Sequence, residues 1–164
     1  MVINSPQALL LHELRLAENA EEQLRDIMPS LLSATPNSRL QHLLDQRLCE
    51  GERVLSDIRG CLELHSEEEG EVHNEPIAAL VQDTRRMIAA AGTSELKQLA
   101  AAAAARRLQH LCLAGWANLQ LLTTRLGDEP AAEHLASALE EGQRWDRQFG
   151  DLALKAKDPA AEGK

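Results

Sequence analysis

Aromatic side chains are nearly missing from this chain: it has no tyrosine, one phenylalanine (Phe149) and two tryptophans (Trp116 and Trp145) in 164 residues. β-Sheets are assembled largely from aromatic and β-branched residues, so this composition speaks against a strand-rich fold. Cysteine is also sparse. Cys49, Cys61 and Cys112 are an odd, scattered set without a CxxC pair, which suits a reducing cytosol better than a secreted disulfide scaffold. Positive charge is outweighed, 17 basic residues against 26 acidic, and the net charge of −9 repels phosphate backbones, which argues against a general nucleic-acid binder. Long apolar runs are lacking. Pro6, His12, Glu13 and Arg15 interrupt the region where a signal peptide needs its apolar core. The uncharged stretch from Leu108 to Thr124 carries Gln109, His110, Asn118 and Gln120, and is shorter than the roughly 20 mostly apolar residues a membrane span requires. No Gly-rich phosphate loop is present, the nine glycines being dispersed, and no Ser, His and acid fall together as a nucleophilic triad.

What the chain does have is leucine and alanine, both strong helix formers, within a composition that is 44% hydrophobic. Its length suits one domain, placed over residues 1–158, with 159–164 as a disordered tail. Ser5-Pro6 reads as an N-cap followed by proline in the first turn. Leu10, Leu14, Ala17, Glu21, Leu24, Met28 and Leu31 then recur at spacings of four and three, the seam of a bundle helix that Pro29 should kink or end. A second helix is expected over Asn37 to Leu64, with Leu40, Leu44, Leu48, Gly51, Leu55, Ile58 and Leu62 as its seam. The Glu-rich stretch from His65 to Glu75 reads as a solvated loop. A shorter helix follows, capped by Asn74 and closed by Gly92. Thr93-Ser94 starts a long helix that stops at Gly127, and Asp128-Glu129-Pro130 caps the last one, whose seam is Leu135, Ala138, Gly142, Trp145, Phe149 and Leu152. The expected architecture is all-α: an antiparallel four-helix bundle with an additional short helix in the crossover between helices two and three. That crossover is the connection a ferritin-like bundle needs.

Polar residues on these seams are the candidates for chemistry. Glu21 sits between Ala17 and Leu24, where a bundle seam wants an aliphatic side chain. It is either at the edge of the core or paired with Arg47 or Arg106, or it is a carboxylate ligand in a dimetal centre. If buried without metal, Glu21→Gln is expected to be neutral or mildly stabilising, since it removes the charge that burial penalises. His110 aligns with Ala103, Ala114, Ala117 and Leu121, and reads as a core histidine, hydrogen-bonded or ligating. Glu50, one flank off the second seam, and Asp146, beside Trp145, complete the set. A ferritin-like dimetal site asks for Glu-x-x-His pairs on two of its helices, and none occurs in this chain. Cys49 and Cys112, each near the middle of a long helix, are expected to be small buried hydrophobes, the alternative being a thiol metal site or redox pair.

The stretches HELRLAENAEEQL and RRLQHLCLAGWANLQLLTTRLGDEPAAEHLASALEEGQRWD, in that order around a short central helix, resemble the YciF/YciE family of bacterial ferritin-like proteins. The likeness runs from about residue 8 to 155 and includes the LG-x-x-x-AA-x-x-L connection before the last helix. It implies a five-helix ferritin-like domain, commonly homodimeric, linked to bacterial stress responses and without an established activity. It also implies that Ala20-Glu21-Glu22-Gln23-Leu24 carries the ligand-type glutamate of the first helix, at Glu21. Elsewhere this chain departs from the family pattern. Cys49-Glu50-Gly51 stands for Glu-Glu-Thr, Gln109-His110-Leu111-Cys112 for Glu-His-Tyr-Glu, and Glu140-Glu141-Gly142 leads to Asp146 in the last helix. A dimetal site needs about four carboxylates, and glutamates have been lost here to Gln109, Cys112 and Gly142. The leading expectation is therefore a non-catalytic, ferritin-like stress-associated protein of the bacterial cytoplasm, with a degenerate site and no cofactor. It would act by self-association or through a protein partner, without nucleic acid or membrane. The alternative is a di-iron or di-manganese carboxylate oxidoreductase, or a metal-binding protein, using Glu21, Glu50, His110 and Asp146.

Overall fold

In a computed structural model that describes residues 3–65 and 72–155, the chain forms five helices and, among these residues, no strand. They are α1 (Pro6–Ser33), α2 (Ser38–His65), α3 (Glu75–Ala90), α4 (Ser94–Leu126) and α5 (Glu129–Lys155). Their starts follow capping chemistry. Ser5 accepts from the Ala8 amide, Asn37 from Arg39 and Leu40, Asn74 from Ile77, Thr93 from Leu96, and Asp128 from Ala131. Each side chain satisfies an amide that has no partner inside its helix.

The stops are less uniform. Gly127 ends α4 in the left-handed region at φ 76°, a conformation that costs glycine nothing. Gly92 does not close α3 as expected: the helix ends at Ala90, Ala91 caps it with extended backbone, and the only positive φ among the described residues is at Gly127. Pro29 does not end α1 either, and the helix runs on to Ser33. The hydrogen bond lost at the proline is offset by full burial of Met28 and Leu31 on either side of it.

The four long helices form a ring in which α1 and α5 each pack against both α2 and α4. Side-chain pairs fix their directions. Arg53 reaches Glu141 while Trp145 donates to the Leu43 carbonyl, so α2 and α5 run antiparallel. Arg106 with Asp146, and Gln109 with Gly142, set α4 antiparallel to α5. Gln98, in the first turns of α4, accepts the Asn37 amide just before α2, so α2 and α4 begin at the same end. A crossover along the length of the bundle must join them, and α3 lies in it, packed on α1 and α4 through Ile77, Val81 and Thr84. Asn74 anchors that crossover, donating to the Leu16 carbonyl while its own amide is taken by Asn19. This is the expected all-α four-helix bundle, with the short helix α3 in the connection between α2 and α4. The acidic segment 66–71 and the tail beyond residue 155 lie outside the described residues.

The core is mostly aliphatic, with Trp116, Trp145 and Phe149 its largest apolar side chains and the ring centroids of the last two 4.7 Å apart in a stacked pair. None of the described helices is long and apolar enough to cross a membrane. Within this core α2 buries Leu40, Leu44, Gly51, Leu55 and Ile58 of its expected seam, and its buried face extends beyond that seam. Arg47, Glu50 and Val54 are buried, whereas Leu48 and Leu62 are only partly so.

Candidate functional site

Arg47 lies one turn before Gly51 on α2, and its side chain is 2% exposed. Its Nη2 donates to both carboxylate oxygens of Glu21 on α1, each at 3.0 Å, and Glu21 is equally buried. Its Nε donates to Oε1 of Gln109 on α4. Gln109 in turn donates through Nε2 to the Gly142 carbonyl on α5 at 3.3 Å. The guanidinium carbon stands 5.2 Å from the centroid of the Trp116 ring. One planar cation thus ties together all four long helices. An isolated charge here would be very costly, but a doubly hydrogen-bonded carboxylate and an aromatic face compensate it.

Two glycines make the room. A Cβ at Gly51 would fall 2.6 Å from Arg47 Nη1 and 2.8 Å from Glu21 Oε2. A Cβ at Gly142 would fall 2.7 Å from Gln109 Nε2 and 3.0 Å from the Trp116 ring. The guanidinium therefore occupies space that any side chain at position 51 would need. Burial works against the Arg47 charge, yet Glu21, Cys112 and Glu50 around it hold its pKa above the ordinary arginine value. Cys112, buried in the same layer, has its thiol pushed well above the usual range by desolvation and then by Glu21. It is a neutral packing group and not a nucleophile.

Glu50 sits beside this pair. It is 6% exposed, and its Oε1 is buried without a hydrogen-bond partner. Desolvation raises its pKa above the usual carboxylate value, with Arg47 pulling the other way. The layer therefore holds two carboxylates and a single guanidinium.

His110 and Asp146 belong to another place. Asp146 accepts from Arg106 at 2.8 and 3.1 Å, and the His110 Nε2 lies 3.4 Å from it. The Arg106 hydrogen bond holds the Asp146 carboxyl below its ordinary pKa, against some desolvation. The His110 side chain is 59% exposed, so it is not a core histidine. Ala103, Ala114, Ala117 and Leu121, which the sequence aligns with it, also face outward. The buried face of α4 runs instead through Ala101, Ala105, Leu108, Cys112, Trp116 and Leu119. A helix rich in Leu and Ala on every side gives no clear sign of which stripe is inside. Cys49 is likewise exposed, and all three cysteines are free.

Of the four residues expected as metal ligands, the structure brings Glu21 and Glu50 to Arg47 and sets exposed His110 beside the mostly buried Asp146, which Arg106 holds. Among the described residues, no three His, Cys, Asp or Glu side chains converge where they could hold a metal ion. Sequence reading named Arg47 as one of two partners for Glu21, but missed Gly51, Gln109 and Trp116. The available signal was an arginine four residues before a glycine, level with a seam glutamate on the neighbouring helix.

The comparisons with known proteins agree with this architecture. The family model for a domain of unknown function, DUF892, matches residues 5–162. The chain belongs to that family. This DUF892 chain is 27% identical over 167 residues to Protein YciF of Escherichia coli (strain K12), an alignment covering 100% of the chain and 99% of the relative. The crystal structure of the E. coli stress protein YciF matches it with a TM-score of 0.84 at 25% identity, over 93% of this chain and 96% of the other. YcfI of Rhodopseudomonas palustris shares the fold, with a TM-score of 0.83 at 20% identity over 90% and 94% of the two chains. The DUF892 chain is thus of the YciF type, as its helix motifs suggest.

Proposed function

We propose that this protein is a non-catalytic, stress-associated member of its family, acting in the bacterial cytoplasm by self-association, with a guanidinium at the centre of the bundle where relatives with a full ligand set would hold metals. The bidentate Arg47–Glu21 pair carries this reading. A dimetal centre does not fit these residues. Glu21 is committed to an internal cation, Gln109 is neutral, Cys112 is held as a thiol, and position 142 has no side chain. A fixed positive charge in the same layer would also repel divalent ions. Metal analysis of protein purified without chelator should find iron and manganese far below one equivalent. Near-stoichiometric metal that disappears in Glu21→Ala would sink the proposal.

Self-association is supported by the outer face of α4. Among the described residues, four of the five exposed large hydrophobic side chains lie on this helix: Leu96, Leu99, Leu111 and Leu121. Leu96, Ala103, His110, Ala114 and Leu121 follow one line along it, so an antiparallel second copy would set leucine against leucine at both ends and alanine against alanine inside them. Light scattering should give the dimer mass at micromolar concentration, and Leu121→Glu should shift it to monomer. A monomer mass for the unmodified chain counts against self-association while leaving the metal result untouched.

A further inference from the structure

In the polar layer at the centre of the bundle one carboxylate oxygen, Oε1 of Glu50, has no hydrogen-bond partner. Among the described residues Arg47 is the only buried basic side chain, and its Nη2 and Nε are committed to Glu21 and Gln109. Glu50 itself is more than nine-tenths buried. Arg53, the nearest basic residue along α2, turns outward to Glu141 at 2.8 Å. A buried carboxylate oxygen without a donor is unfavourable and calls for either a proton or a cation with N–H groups.

Glu50 also lines a solvent-connected groove of about 620 Å³ between α2 and α5, together with Asp45, Cys49, Glu141, Arg144 and Trp145. We propose that this groove binds a small alkylammonium ion, whose N–H groups donate to Glu50 and whose alkyl chain lies between α2 and α5 along the Trp145 wall. Several observations select this class of ligand. The volume suits a small organic molecule. A metal ion needs three or more converging donors, and the described residues offer no such group. Arg53 in the lining is already paired with Glu141, and an anion drawn to Arg144 would still meet the Glu50 carboxylate, with Asp45 on the flank. An ammonium, in contrast, needs one carboxylate and a few neutral acceptors, and Gln46 and Gln148 line the same groove. Asp45 in the same lining offers a counter-ion for a second ammonium at the far end of the chain, so a short diamine is favoured over a monoamine. The inference is independent of self-association, which uses the other side of the bundle.

The test is isothermal titration calorimetry of the full chain with putrescine at low salt. Butanediol serves as the uncharged analogue and manganese(II) chloride as the metal control. Saturable binding at millimolar concentration or tighter is expected for putrescine alone, weakened at least about tenfold in Glu50→Gln. A second readout needs no variant: Cys49 is exposed and lines the groove, so putrescine should slow its alkylation by iodoacetamide while leaving Cys61 unaffected. The proposal is overturned by the absence of saturable heat, by equal binding to Glu50→Gln, by equal binding of butanediol, or by tighter binding of manganese. Unchanged Cys49 alkylation in saturating putrescine would overturn it as well.

Discussion

Replacing Glu21 by glutamine is the sharpest probe of the polar core, because the sequence and the structure anticipate opposite results. Read from the sequence, a buried Glu21 is paired with a base or protonated, and removing its charge should in either case cost nothing or stabilise mildly. The structure presents a pair, both side chains 2% exposed, in which the glutamate is the bidentate counter-ion of Arg47. Glutamine keeps the shape but leaves the guanidinium buried without that charge. Removing one partner of a buried ion pair costs about 3–5 kcal/mol. Glu50, the other carboxylate beside Arg47, takes up part of the lost compensation, so we expect the lower end, about 3 kcal/mol. In a domain of this size that lowers Tm by about 6–12 °C. Urea and thermal unfolding followed by circular dichroism measure both quantities. The double variant Glu21→Leu/Arg47→Met should recover most of the loss, since a buried pair replaced by well-packed apolar groups is often neutral. A Glu21→Gln protein within about 0.5 kcal/mol of the parent would refute the pairing argument.

Three further outcomes follow from the same geometry. Gly51→Ala places a methyl group against Arg47 Nη1 and Glu21 Oε2 and should cost about 1–3 kcal/mol in urea unfolding, whereas Gly60→Ala, with nothing within 4 Å, should not destabilise. Glu50 has a raised pKa, so the folded state holds its proton to higher pH than the unfolded state does, and stability falls as pH rises from about 4.3 through the folded value. Glu50→Gln should therefore be more stable than the parent at pH 7 and converge with it below about pH 4, and a gap independent of pH would contradict the assignment. Asp146 has the opposite sign: its lowered pKa gives stability that is present above about pH 4 and lost as pH falls through the folded value. Asp146→Asn should flatten that acid limb, by less than about 1 kcal/mol because Arg106 is half exposed, and an unchanged limb would show that the pair contributes nothing.

The helices were legible in the sequence because their start signals are local. Ser5, Asn37, Asn74, Thr93 and Asp128 each cap the helix that follows them, and Gly127 ends α4. The Glu21–Arg47 pairing was among the readings available, since a buried acid needs a nearby base. What could not be read was direction. On α4, alanine and leucine cover every side, so the line through His110 looked like core although the neighbouring helices bury the line through Leu108 and Trp116. The role of Gly51 was hidden for a different reason. A glycine on a seam reads as a gap, and only the three-dimensional arrangement shows that an arginine from one turn earlier fills it.

The four-helix span of the Arg47 network also bears on how the chain finds a single arrangement. Layers of leucine and alanine are interchangeable, and a helix displaced along its neighbour by two turns would meet much the same apolar surface. The guanidinium is not interchangeable. Its acceptors come from α1 and α4, and Gln109 is in turn held by the backbone of α5. A slipped helix, or an assembly lacking one, strands a buried charge. Misregistered and partly assembled states therefore carry a penalty that the apolar contacts alone would not impose, and the gap between the native bundle and its near-copies widens accordingly.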